Sequence, residues 1–250
     1  MNTFGDNKHK RYAVISDIHS NIEALQAVAR DIEEQRVDEI LCLGDLVGYG
    51  PDPNACVEMV KNMAEIIIPG NHDWAAIGLT SIYEFNVYAK DAILWTASML
   101  SDENSTFIEK LPIIKRIQTE EIFLVHGSPI EPDKWHYILS YEEARLNFAY
   151  LPDRYCLIGH SHLPAIIEEA PNGKITVYEN RYNFQKGCRY IINVGSVGQP
   201  RDGNPKASYA IFDQTGVEIR RIDYPIEQTQ QKMKEAGLPS YLIDRLALGR

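Results

Sequence analysis

The stretch Ile40-Leu41-Cys42-Leu43-Gly44-Asp45-Leu46-Val47-Gly48 is an apolar run that is closed by a glycine and one carboxylate. Such a run is typical of a strand buried on both faces, and open α/β sheets bind their ligands beyond the carboxyl ends of such strands. A single aspartate at a strand end is too common to indicate a function. Its meaning depends on what the other strands of the chain carry at the same position.

Four other apolar runs also end at residues that can bind a metal ion. Besides the run at 38–43, the pattern predicts strands at 12–15, 66–68, 121–125 and 155–158. With Asp45, the polar residues that follow these strands form a set of eight: Asp17, His19, Asp45, Asn71, His72, His126, His160 and His162. Turn chemistry explains one aspartate at a strand end, but it gives no reason for five strand ends to share ligand-type residues.

The chemistry of these residues favours a pair of metal ions. Imidazole nitrogen and carboxylate oxygen together suit divalent Mn, Fe, Zn or Ni, and the absence of cysteine from the set argues against a purely structural zinc site. Eight candidates are too many for one ion, so we expect two ions with Asp45 as the shared, bridging ligand. Such a pair stabilises both the attacking and the leaving oxygen of an in-line displacement, which predicts hydrolysis of a phosphate ester.

The composition excludes several other classes of protein. The chain has 250 residues, of which 44% are hydrophobic and 24% charged, as is usual for a soluble globular protein. Its formal net charge of −10 argues against general binding to nucleic acid, which requires a basic surface. The four cysteines form no CxxC pair, residues 1–11 are polar and basic, and no apolar run could span a bilayer. We therefore expect a cytoplasmic protein without a membrane partner.

The order of the predicted elements indicates a mixed α/β fold. Pairs of capping residues predict helix starts at Ser20 with Glu23, Ser81 with Glu84 and Ser140 with Glu143. The early strands alternate with helices and should be parallel, whereas the strands from Ala165 onward follow hairpin spacing. Two mixed sheets packed face to face, with helices outside, accommodate both the parallel strands and the hairpin-connected strands.

One stretch of the chain lacks strand signals. Between about 74 and 115 the periodicity is helical, which predicts a helical insertion whose aromatic stripe serves packing. We find no linker that would divide the sequence and expect one domain over residues 1–250.

The five strand ends together resemble a known family. In chain order they are Asp17-Ile18-His19, Gly44-Asp45, Gly70-Asn71-His72-Asp73, His126 and Gly159-His160-Ser161-His162, which are similar to the five ordered motifs of the calcineurin-like metallophosphoesterases. Looser similarities at 49–53 and 193–201 resemble a bacterial and archaeal branch of predicted phosphoesterases. The resemblance implies an αββα sandwich, in agreement with the fold inferred above.

The resemblance also implies a role for each residue. One metal would be held by Asp17, His19 and His162, the other by Asn71, His126 and His160, with Asp45 between them. His72 would steady the transition state or protonate the leaving oxygen. The implied reaction is attack of a metal-bound hydroxide on a small phosphodiester or phosphomonoester, with nucleotides among the candidate substrates and Mn as the first metal to test.

Three details of the motifs need separate interpretation. His160 and His162 are two residues apart and would point the same way in a regular strand, so we expect Gly159 to let the turn aim them at different ions. Arg201 follows a glycine-rich turn and could clamp a substrate phosphate, although an ordinary exposed loop is an equal alternative. Ser128 is better explained as a turn residue before Pro129 than as a nucleophile.

Two alternative functions remain open at this stage. In phosphoprotein phosphatases the second motif is GDxxDRG, and its second aspartate orients the histidine of the third motif. Gly48 and Tyr49 occupy the Asp and Arg positions here, which disfavours protein phosphatase activity and leaves the orientation of His72 unexplained. A scaffold protein that keeps the fold, as the retromer subunit of the family does, should have lost ligands, whereas every motif position is filled here. The oligomeric state remains open.

Overall fold

The structure is a computed structural model that describes residues 9–250. Residues 1–8 of the polar start lie outside the described residues. The strands are β1 (Tyr12–Ile15), β2 (Glu39–Cys42), β3 (Ile66–Ile67), β4 (Ile114–Ile117), β5 (Ile122–Val125), β6 (Tyr155–Ile158), β7 (Ala165–Glu169), β8 (Ile175–Tyr178), β9 (Arg181–Asn183), β10 (Arg189–Asn193), β11 (Ala207–Asp213) and β12 (Gly216–Ile222). The helices are α1 (Ile22–Glu34), α2 (Pro53–Met63), α3 (Asn71–Ala76), α4 (Val87–Met99), α5 (Asp102–Glu109), α6 (Tyr141–Tyr150), α7 (Ile226–Glu235) and α8 (Ser240–Leu246).

The described strands form two mixed six-stranded sheets, as predicted. The first has the order β3-β2-β1-β11-β12-β9 and the second the order β4-β5-β6-β10-β7-β8. In the first sheet β1, β2 and β3 are parallel, and β11 joins β1 in the antiparallel sense. In the second sheet β5, β6 and β10 are parallel and the flanking strands antiparallel.

Alternation along the strands separates the layers of the sandwich. Val14 on β1 and Leu157 on β6 belong to one buried cluster between the two sheets. Ile15, the next residue on β1, packs with Val28 of α1 on the outer side of the first sheet. Ile158 on β6 packs with Phe148 of α6 on the outer side of the second. The helices therefore cover the outer faces, and the predicted αββα sandwich is confirmed.

Two edge elements escaped prediction. Strand β4 is largely exposed and carries Lys115 and Arg116, so it lacks the apolar alternation by which a strand is recognised. It begins just before the predicted end of the helical insertion, which otherwise contains the end of α3 together with α4 and α5. Strand β9 has three residues and forms the edge of the first sheet that is opposite β3. Short and charged strands are usual at sheet edges, because they discourage pairing with other chains.

Of the three predicted capping pairs, one is correct. Ser140 and Glu143 form the capping box of α6. At α1 the cap is Asn21, whose side chain accepts a hydrogen bond from the backbone N–H of Ala24, while Glu23 binds Lys232 of α7. The pair at Ser81 is wrong because α4 begins only after Asn86.

No helix within residues 9–250 combines the length and the apolar character that crossing a bilayer requires. The organisation of the whole chain as one domain stays a prediction.

Close backbone contacts join the carboxyl ends of β1, β2 and β3, and at Gly44 they leave no room for a side chain. The backbone N–H of Asp17 donates to the carbonyl oxygen of Gly44, over 2.9 Å. Gly44 has φ +97°, and a Cβ atom there would lie 2.5 Å from the backbone nitrogen of Gly70. This junction therefore requires glycine both for its backbone conformation and for its space.

We expect Gly44→Ala to destabilise the protein clearly more than Gly173→Ala. Gly173 has a similar φ of +78°, but a Cβ atom there would meet no other atom within 4 Å, so this variant carries only the backbone penalty of about 1 kcal/mol. Urea unfolding of both variants and the wild type measures the difference. Equal free energies of unfolding for the two variants would show that the junction is not tightly packed.

Candidate metal centre

All eight predicted site residues are brought together at one edge of the sandwich. They follow β1, β2, β3, β5 and β6, whose carboxyl ends converge there. Each is at most 7% exposed. The structure therefore brings the predicted residues close to one another, and their role as a site stays a prediction.

The first group of candidate ligands consists of Asp17, His19, Asp45 and His162, which offer ligand atoms within 4.8 Å of one another. Nε2 of His162 lies 3.1 Å from Oδ1 of Asp17 and 3.0 Å from Nε2 of His19. Nε2 of His19 lies 3.6 Å from Oδ2 of Asp45. Two carboxylates and two imidazoles thus surround one point.

The second group consists of Asp45, His126 and His160. Nε2 of His126 lies 3.3 Å from Oδ2 of Asp45, and the rings of His126 and His160 have centroids 5.0 Å apart. Asp45 belongs to both groups, and its other oxygen, Oδ1, accepts the backbone N–H of His72 over 2.8 Å. A carboxylate in this position can contact two adjacent cations.

Backbone carbonyls fix the orientation of three imidazole rings. Nδ1 lies 2.7 Å from the carbonyl oxygen of Leu43 in His126 and 2.6 Å from that of Gln199 in His162. In His19 the corresponding oxygen is that of Val47, 3.2 Å away. Since a carbonyl oxygen only accepts, Nδ1 carries a proton in each ring, which leaves Nε2 as the nitrogen that faces the site and can bind a cation. This is the tautomer that binds metal.

Several ligand atoms in the centre have no other partner. Nε2 of His126, Nε2 of His160 and Oδ1 of Asn71 are buried without a hydrogen bond to any residue in the described range. Buried polar atoms are rarely left unsatisfied, because the cost of removing them from water is then uncompensated. Their donor types, imidazole nitrogen and amide oxygen, fit divalent cations. The residues present therefore fit a metal ion at this position.

Burial and charge shift the pKa values of the two carboxylates and of His160 in the directions that metal binding needs, whereas the pKa of His126 shifts in the opposite direction. Burial lowers the pKa of His160 to about 3. Burial opposes ionisation of Asp17 and Asp45, but the imidazoles of His162 and His126 outweigh it, and the pKa of both carboxyls is lowered. Burial likewise disfavours the charged form of His126, yet Asp45 and Asp17 raise its pKa to about 9. The carboxylates are thus ionised and attract a cation.

The backbone of the centre departs from ordinary geometry. Asp17, His19, Asp45, His160 and His162 all have positive φ angles, between +49° and +67°. Such angles are uncommon outside glycine and cluster at functional sites. The two histidines turn by their own left-handed conformations, so the expected role of Gly159 is wrong: its φ is not positive, and it is needed because a Cβ atom would collide with Ser16 and Asp17.

His72 is held by aromatic rings. Its ring centroid lies 4.4 Å from that of Tyr49 and 5.0 Å from that of Phe85, and burial lowers its pKa to about 4. Nδ1 has no hydrogen-bond partner in the described chain, and a Cβ atom at Gly48 would lie 2.6 Å from it. Gly48 and Tyr49, which replace the Asp and Arg of the phosphoprotein phosphatases, thus create close packing around this histidine.

Arg201 lies beside the centre and is partly buried. Its Nη2 is 3.1 Å from Oε1 of Gln199 and 3.4 Å from the hydroxyl of Tyr49, and its guanidinium carbon is 5.7 Å from the centroid of the Tyr49 ring. Nε is buried and has no acceptor within the part of the chain that the structure describes. The arginine is therefore not a free surface residue.

Two residues that support the centre from its loops were not predicted. Oδ1 of Asp73 accepts the N–H of Val47 over 3.0 Å and Oδ2 accepts that of Gly70 over 2.9 Å, so this carboxylate joins the loops after β2 and β3. Tyr137 stacks on His160 with ring centroids 4.1 Å apart and an interplanar angle of 13°. The adjacency of Asp73 to His72 was a usable signal. Tyr137 belongs to an irregular loop, and nothing in the sequence around it pointed to the site.

Comparison with known proteins identifies relatives. Residues 11–216 match the profile of the calcineurin-like phosphoesterase superfamily domain. An uncharacterized protein of Methanocaldococcus jannaschii is 41% identical over 243 residues, which is 95% of this chain and 98% of that protein. A metallophosphoesterase from Sphaerobacter thermophilus is 43% identical, with a TM-score of 0.85 over 97% of this chain and 100% of that one. A hypothetical protein from Pyrococcus horikoshii shares the fold at 23% identity, with a TM-score of 0.78 over 96% of this chain and 98% of that one.

We expect Asp73→Asn to lower the free energy of unfolding by about 1–3 kcal/mol, because the amide NH₂ would face a backbone N–H and leave it unpaired. Chemical denaturation measures the loss. Asp91→Asn, an exposed substitution on α4, is the matched control and should change stability by less than about 0.5 kcal/mol. Equal effects of the two substitutions would contradict the assigned bonds.

Proposed function

The chain belongs to the calcineurin-like phosphoesterase superfamily, and from that premise we propose that it is a dinuclear-metal-dependent phosphoesterase acting on a small phosphodiester or phosphomonoester. The observation that carries the proposal is the position of Asp45 in both groups of candidate ligands. If these buried polar atoms had a purely structural role, we would expect each of them to form a hydrogen bond. Three of them form none with the described residues.

The proposed ligands divide between two ions. Asp17, His19 and His162 would hold one, and Asn71, His126 and His160 the other, with Asp45 shared. The ligand types suit Mn, Fe, Zn or Ni, and Mn is the first metal to test. When bound, such a pair lowers the pKa of a water molecule, whose oxygen attacks phosphorus directly, and neutralises charge on the phosphate oxygens.

The chain's own residues supply the remaining functions. His72 is next to both ligand groups, since its backbone N–H donates to Asp45 and its ring packs 4.8 Å from that of His19. With its pKa lowered by burial it is a neutral imidazole, which can donate a hydrogen bond to the leaving oxygen. The Nε of Arg201, which has no acceptor in the described chain, is available to a phosphate oxygen, and this supports the arginine as a substrate clamp.

The alternatives have less support. A scaffold protein has no use for three imidazoles that backbone carbonyls hold in the metal-binding tautomer. Protein phosphatase activity is disfavoured because Tyr49 packs over His72 where that branch has an arginine. The net charge of −10 favours a small substrate over long nucleic acid. We further propose a cytoplasmic location, in keeping with four free, buried cysteines, and a single domain for the whole chain.

Asp45→Asn should lower the hydrolysis of bis(p-nitrophenyl) phosphate in Mn²⁺ by more than about 100-fold, because the amide removes the negative charge that both ions would share. Metal analysis should show a fall from about two equivalents to one or fewer. The matched control is Asp153→Asn, a buried carboxylate that pairs with Arg116 away from the centre. Full activity in folded Asp45→Asn would refute the mechanism.

His72→Gln should reduce kcat by about 100- to 10,000-fold while the protein still binds both ions, because His72 is proposed to act on the leaving oxygen and not on the metals. His136→Gln is the control, since His136 is 52% exposed and follows no motif. Steady-state kinetics and metal analysis on both variants test the assignment. Loss of one metal equivalent in His72→Gln would make it a ligand instead.

A further inference from the structure

A cavity of about 550 Å³ opens directly beside the second group of ligands. Asn71 and His160 form part of its wall, so the cavity adjoins the space in which a group bound at the centre would lie. Its size lies within the range of about 300–1,000 Å³ that is typical of small-molecule sites. Whatever is esterified to the reacting phosphate has this space available.

Aromatic side chains form much of the remaining wall: Tyr83, Phe85, Trp135 and Tyr137. Tyr83 is 83% exposed and Tyr137 is 46% exposed. Large rings at the open side of a cavity contribute little to folding, whereas a planar ligand would bury them by stacking. The cavity is therefore suited to a flat aromatic group.

Two features of the loop between β5 and α6 support a ligand-binding role. Glu131 and Trp135, with φ angles of +46° and +57°, flank the short 3-10 turn Pro132–Lys134, and such strain in ordinary residues is found at ligand-binding segments. Nε1 of Trp135 is a buried donor without an acceptor in the described residues.

The charges around the cavity limit what it binds. The charged residues of the wall are Glu84, Asp133 and Lys134, of which the last two form an ion pair over 3.4 Å, and Nζ of Lys90 lies 5.5 Å from the centroid of the Tyr83 ring. These charges leave no excess of positive charge to hold a chain of several phosphates, whereas an uncharged group is tolerated. A sugar offers its C–H groups to the rings, whereas a heteroaromatic base also stacks on them with its π-face, so the walls favour a base.

We propose that the cavity binds the base of a nucleoside whose phosphate ester lies at the metal centre. The inference rests on the proposed phosphoesterase function. In the reaction the oxygen of a water molecule forms a new bond to phosphorus, the bond between phosphorus and the leaving oxygen breaks, and the leaving oxygen takes up a proton. The substrate class is therefore a nucleoside phosphoester, with Tyr83 as the stacking residue at the rim.

The experiment compares two esters with the same leaving group, thymidine 5′-(p-nitrophenyl phosphate) and methyl p-nitrophenyl phosphate, in Mn²⁺. We expect kcat/KM to be at least about tenfold higher for the nucleoside ester, chiefly through KM. Tyr83→Ala should lower the ratio of the two kcat/KM values about tenfold, and Tyr83→Phe, which keeps the ring, should preserve it. Tyr150→Ala, an equally simple change at an exposed tyrosine on α6, is the control and should not alter the ratio.

The outcomes distinguish this inference from the proposed function. Equal kcat/KM values for the two esters, or a ratio that Tyr83→Ala leaves unchanged, would overturn the nucleoside cavity while the phosphoesterase stands. If neither ester is hydrolysed, the proposed function fails. Calorimetry of the Mn²⁺-treated protein with thymidine 5′-monophosphate and with ribose 5-phosphate then tests whether the cavity binds a base. Equal affinity for these two ligands would then refute base binding.

Discussion

Two carboxylates, Asp17 and Asp45, are buried side by side, and the surrounding loops are arranged to hold that negative charge. Asp17 accepts the backbone N–H of His160, and Asp45 accepts that of His72, so each carboxylate binds the loop of a different strand. Removing one carboxylate would therefore remove a proposed metal ligand and would also leave a backbone N–H of another loop without its acceptor. Burial of two like charges is costly without positive compensation. His126 at the end of β5, whose pKa is raised, provides part of it, and the proposed cations provide the rest.

The same demand accounts for the unusual backbone of the centre. Five loops must deliver polar side chains to one point, although each leaves a strand whose regular geometry would point them along the sheet. Left-handed conformations at Asp17, Asp45 and His162 turn the chain sharply within one residue. Their cost is balanced by the surrounding bonds, such as that from the N–H of Ile18 to the carbonyl oxygen of Asp45. Packing of the two sheets thus holds these residues in backbone conformations that they would not prefer on their own.

The sequence predicted those features that depend on local pattern. Buried strands such as β1 and β6 have apolar runs bounded by polar residues, and both were predicted with their observed bounds. The candidate ligands were found because they occur at strand ends, which is again a local signal. What depends on tertiary contact was missed. Asp73 has meaning only where two loops meet, and β9 exists only because β12 offers it an edge. Glu23 was predicted to cap its own helix, but it binds Lys232, which is distant in sequence.

The replacement of a charged pair by Gly48 and Tyr49 connects the proposed catalytic group with the proposed substrate cavity. A carboxylate beside His72 would favour its protonated form, whereas apolar rings keep the imidazole neutral. Phe85, one of those rings, also forms part of the cavity wall. A base bound in the cavity would therefore contact the residue that packs against His72. Because the ring of Phe85 contributes to both surfaces, a change in the position of His72 would be felt in the shape of the cavity.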